Sequence, residues 1–72
     1  MREEKQSMKR KELEKEVLSV LREKGELTFE ELASYVKVDK LLLREVIAAM
    51  IKEGVILKVP NFERSKFVYK PA

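Results

Sequence analysis

From Lys9 to Lys24 the apolar residues Leu13, Val17, Leu18, Val20 and Leu21 recur at helical spacing, while Lys, Arg and Glu fill the other positions. The pattern predicts an amphipathic helix closed by Gly25. Upstream of Leu13 only Met1 and Met8 are apolar, so residues 1 to 8 are expected to form a flexible tail or a frayed extension of that helix. The stretch from Glu26 to Val36 carries a helix start. Thr28 followed by Glu31 is a capping box, in which the hydroxyl accepts from the Glu31 amide and the carboxylate reaches back to the Thr28 amide. Leu27 and Leu32 flank it as a hydrophobic staple, and Leu32, Tyr35 and Val36 are expected to form the buried stripe. Glu30 and Glu31 fall on the first turn, where the helix dipole favours acids. Successive side chains diverge on a helix, so this pair reads as capping rather than as an acid and base acting together.

A short connection, Val36-Lys37-Val38, leads to Asp39, a good N-cap for a third helix with Leu43, Val46, Ile47, Met50 and Ile51 inward. Gly54 stands where a left-handed C-terminal cap is wanted. The period then changes. Val55 to Val59 and Lys66 to Lys70 are β-branched and aromatic runs separated by residues 60 to 65, which predicts a hairpin with a six-residue loop. One face of that hairpin must cover the helices, so Phe67 and Tyr69 are expected to be structural. Only Pro71 and Ala72 follow, and the outer strand is expected to have no further neighbour, its edge guarded by lysines. The fold class is therefore mostly α with a small β-hairpin, in a single domain over residues 9 to 72.

Composition narrows the chemistry. The 72 residues contain no Cys, His or Trp. That excludes disulfides, a thiolate zinc site, a cysteine nucleophile and the commonest general base, so no enzyme, cofactor or metal site is expected. A chain of this size has core for three helices and a small sheet at most. The longest apolar run, Val46 to Ile51, has six residues, far short of the roughly 18 a membrane span needs. The charged amino terminus lacks a secretory apolar stretch, and an intracellular, cytoplasmic or nucleoid-associated protein is expected. Nothing points to a small-molecule ligand.

The order helix, capped extended segment, helix, tight turn, helix and hairpin resembles the winged helix-turn-helix family. The residues that carry the likeness run from Leu27 to Gly54. They are the capped second helix with Glu31-Leu32-Ala33, the turn ending in Val38-Asp39, the inward Leu43, Ile47 and Met50, and the passage Lys52-Glu53-Gly54-Val55-Ile56 into the hairpin. The resemblance spans about Lys9 to Lys70. It implies three helices plus a two- to three-stranded wing sheet. It also implies a third helix in the major groove of duplex DNA, with the wing on the flanking backbone or minor groove. Carried over by position, the groove-facing residues would be Lys40, Leu41, Leu42, Arg44, Glu45 and Ala48, of which Lys40 and Arg44 are the useful readers.

Charge is unevenly spread. Residues 26 to 53 hold four bases against six acids, a balance of −2, whereas residues 54 to 72 hold four bases against one acid, a balance of +3. Residues 1 to 25, with eight bases and six acids, stand at +2. Attraction for phosphate must then come from the wing and the first helix. The expected nucleic-acid contacts are Lys40, Arg44, Lys58, Arg64, Lys66, Lys9 and Arg10; the run Lys9-Arg10-Lys11 reads either as a solvated helix start or as a phosphate-facing patch. The expected function is a DNA-binding protein, a transcription regulator, with dimerisation doubling its base contacts. A second reading is a protein-interaction winged helix in a transcription, replication or division assembly, docking through Leu41, Leu42 and Phe62. Against it, Leu42 can pack on the first helix, and Phe62 can fold back over Val59 or Phe67.

Overall fold

Leu13, Val17 and Leu21 stand four residues apart, and that spacing turns all three inward from α1 (Arg2–Lys24). The computed structural model describes the backbone of residues 2 to 72 and the side chains from Arg10 onward. The side chains of the expected extension over residues 1 to 8, and that of Lys9, lie outside the described residues. The helical backbone starts ahead of Lys9, in a stretch of Arg, Glu, Lys, Gln and Met that favours helix without needing an apolar stripe.

The helices α2 (Phe29–Tyr35) and α3 (Lys40–Lys52) follow, and then β1 (Ile56–Asn61) and β2 (Lys66–Pro71) pair antiparallel in register Ile56↔Pro71 through Asn61↔Lys66. The molecule is thus mostly helical with a small β wing, a winged-helix-like layout. Its core joins Leu13, Val17 and Leu21 to Leu32 and Val36, to Leu43, Val46, Ile47 and Met50, and to Ile56 of the wing. Burying each of these side chains contributes roughly 1.5 to 3 kcal/mol. Val68 is also fully buried, on the hairpin outside that cluster.

The end of α3 sets the direction of the wing. Gly54 has φ +78° and donates to the Ile51 carbonyl at 3.0 Å, while Val55 donates to Met50 at 2.9 Å. These two bonds make a Schellman cap, which only a left-handed residue allows without strain. The chain reverses there and enters β1.

Several expectations need correction. Tyr35 is 48% exposed rather than part of the α2 stripe. Its ring lies under the Lys24 ammonium at 5.3 Å, an aromatic face serving a cation instead of the core. Phe67 is 57% exposed, because the distal half of the hairpin reaches beyond the helices. The loop has four residues rather than six: Pro60 and Asn61 extend β1, and the Asn61 side chain accepts from the Arg64 amide at 3.1 Å to close the turn. Pro71 belongs to β2. The outer edge of β2 is also occupied, since Leu27 and Tyr69 exchange two backbone bonds of 3.1 and 2.8 Å. The segment before α2 thus adds a one-residue bridge to the two-stranded sheet.

Candidate functional site

The first turn of α2 is where the wing, α3 and the helix start meet. Locally the capping box fixes it: the Thr28 amide donates to Glu31 Oε1 at 2.9 Å and the Glu31 amide donates to Thr28 Oγ1 at 3.2 Å. The same Glu31 oxygen accepts from the Arg64 guanidinium at 3.0 Å, across 33 residues of chain. The hydrogen bond from Arg64, with that from the Thr28 amide, draws the Glu31 carboxyl down from its ordinary 4.5 to about 2. Lys66 pairs with Glu30 at 3.5 Å. On the α3 side the Arg44 guanidinium lies 4.6 Å from the centre of the Phe29 ring.

Two elements far apart in sequence therefore place Arg44, Arg64 and Lys66 around one helical turn. Lys40 is four residues before Arg44, on the same face of α3, and is exposed. The turn that aims Arg64 is tight: Ser65 takes φ +54°, a left-handed conformation uncommon for a residue with a Cβ. The remaining expected contacts are placed elsewhere. Arg10 pairs with Glu45 of α3 at 3.7 Å, and Lys58 rests over the Phe67 ring at 4.8 Å. Arg10, Arg64 and Lys66 are thus paired with carboxylates, while Arg44 and Lys58 rest on aromatic rings and keep their charge.

No protein-family model, curated protein or solved structure matches this chain. Geometry and charge alone must carry the functional reading.

The residues of the second reading divide. Leu41 is 66% exposed and Phe62, at the wing tip, is 87% exposed, so Phe62 does not fold back over Val59 or Phe67. Leu42 is half-buried against the core and lines a groove of about 360 Å³ with Leu13, Val38, Glu12, Glu16 and Asp39. That groove separates α1 from the start of α3. Among the described residues no helix is long and apolar enough to cross a membrane, and no group of three or more acidic side chains is arranged to hold a metal ion.

Sequence reasoning missed Phe29, Glu30 and Glu31 as partners of the bases, and Glu12 and Glu16 as groove walls. The spacing of Glu12 and Glu16 was visible as one helix face. Nothing local could have shown that the Val38-Asp39 turn lies opposite them.

Proposed function

We propose that this chain is a winged-helix protein that binds duplex DNA chiefly through the phosphate backbone, as a transcription regulator with weak intrinsic sequence preference. The observation that carries this reading is the convergence of Arg44, Arg64 and Lys66 on the first turn of α2, beside the α3 face that bears Lys40. The ion pairs holding Arg64 and Lys66 are exposed, and water screens such pairs until they hold little net energy. Phosphate oxygens can replace the carboxylates as partners, with release of condensed counterions as the driving term. Glu30 and Glu31 keep the bases extended and near the DNA side, and they also hold affinity down by repelling phosphate. Base reading rests on Lys40 and Arg44, because Leu41 and Glu45 offer no donor to a base edge.

Fluorescence anisotropy on a random-sequence duplex tests the reading. Affinity is expected to fall with salt with a log–log slope of roughly −4, for four to five neutralised phosphates. Replacing Arg64 and Lys66 together by Ala is expected to weaken binding more than Lys40→Ala, equally for all sequences, and to reduce the slope by about 1 per base removed. Glu30→Gln, which frees Lys66 and removes a repelling charge, is expected to tighten binding. Wing variants that bind like the parent, or no association at low salt, would overturn the proposal.

The exposure of Leu41 and Phe62 favours a second reading, docking of a protein partner on this face. In that case Leu41→Ser abolishes association and the wing substitutions matter little.

A further inference from the structure

The groove between α1 and the start of α3 is charged in the opposite sense to the belt of bases. Its floor is aliphatic, made by Leu13, Val38 and Leu42, and its walls carry Glu12, Glu16 and Asp39. Among the described residues no base lines it, and none of these three carboxylates has an ion-pair partner. Glu12 and Glu16 are like charges one turn apart on α1, a spacing at which they repel each other. Asp39 occupies the N-cap of α3 yet makes no capping hydrogen bond. A ligand that brought positive charge to this place would relieve the first and give the second a partner.

We propose that this groove docks a segment of a partner protein that presents one aliphatic or aromatic anchor flanked by Lys or Arg. Charge complementarity selects this occupant. Duplex DNA is repelled by the three carboxylates, and a metal ion lacks a suitable cluster among the described residues. The wing of a second copy is the other basic and apolar candidate, and concentration-dependent self-association distinguishes it from a partner segment. A volume of about 360 Å³ is at the low end for binding pockets and suits one large side chain with part of a neighbour. The inference does not depend on DNA binding, which uses other residues.

The test uses the full chain and two synthetic amphipathic peptides of identical pattern, one of Leu and Lys and the other of Leu and Glu. Methyl and amide NMR shifts are followed at low and at 0.3 M salt, roughly the range over which screening weakens exposed charge pairs. The Lys peptide is expected to give saturable shifts at Leu13, Val38 and Leu42, weakened at the higher salt, and the Glu peptide none. Glu12→Lys with Glu16→Lys, both at exposed positions, is expected to lower affinity at least about tenfold, with duplex binding by the same variant read separately. Leu42→Ser serves as a second variant, accepted only if its amide spectrum remains folded. Equal binding of the two peptides, shifts confined to the wing, or no saturable shift at millimolar peptide would overturn the proposal. So would concentration-dependent self-association that closes the groove without peptide.

Discussion

The starts of α2 and α3 follow the same plan in sequence and end in different states. Each has an apolar residue before the cap, a polar cap, and a leucine in the first turn or just past it: Leu27, Thr28 and Leu32 for α2, and Val38, Asp39 and Leu43 for α3. At α2 every part is used. Leu27 and Leu32 are buried, Thr28 and Glu31 bond reciprocally, and Arg64 of the wing turn adds a second bond to the Glu31 carboxylate. At α3 only Leu43 is buried, while Val38 is 37% exposed and the Asp39 carboxylate caps nothing. The difference shows that a helix start can serve stability or remain available for contact. The α2 start is locked by the sheet bridge at Leu27 and by the wing. The α3 start is held by its core side and leaves its cap facing a groove.

The largest expected contrast lies in the residues before the caps. Leu27→Ala is expected to lower stability by about 3 kcal/mol, from lost burial and the cavity left behind. Val38→Ala, by contrast, is expected to cost less than about 0.5 kcal/mol, as at most exposed sites. Urea denaturation of both variants checks this, and similar losses would erase the distinction between the two helix starts.

The caps themselves give a smaller contrast. Thr28→Ala is expected to cost about 1 kcal/mol, since a side-chain bond to a helix amide is lost. Asp39→Ala loses only its favourable place near the helix dipole, at most about 0.5 kcal/mol. Thermal melts of the two variants would sharpen the comparison, and a costly Asp39→Ala would mean that the α3 cap closes in solution.

The smallest effect is a pH dependence. Glu31 has a carboxyl pKa lowered in the folded protein, so its contribution to stability is complete above about pH 4.5 and fades as pH falls toward 2. Urea midpoints at about pH 5 and about pH 2.5 are expected to differ less in Glu31→Gln than in the parent, with Arg64→Ala intermediate. A parent-like pH dependence in Glu31→Gln would show that the two bonds to that carboxylate do not persist in water.

Local sequence by itself determined the order of the elements and where α2 and α3 begin and end. The four-residue spacing of Leu13, Val17 and Leu21, the Thr28/Glu31 box, the Asp39 cap position and the Gly54 reversal all act through bonds or periodicities within a few residues. Such interactions are present wherever the chain goes, so they can be read without knowing the fold. Side chains whose fate depends on distant partners could not be read that way. Tyr35 and Phe67 have core-like chemistry, yet they lie at the rim of the packed layers and carry cations on their faces. Arg64 and Lys66 looked like unopposed bases in a stretch of +3 charge, and only the fold of the hairpin toward α2 set Glu31 and Glu30 against them. The acidic groove has the same origin. Its walls come from Glu12 and Glu16 on α1 and from Asp39 at the start of α3, and the packing of those two helices alone decides that the three carboxylates share one opening.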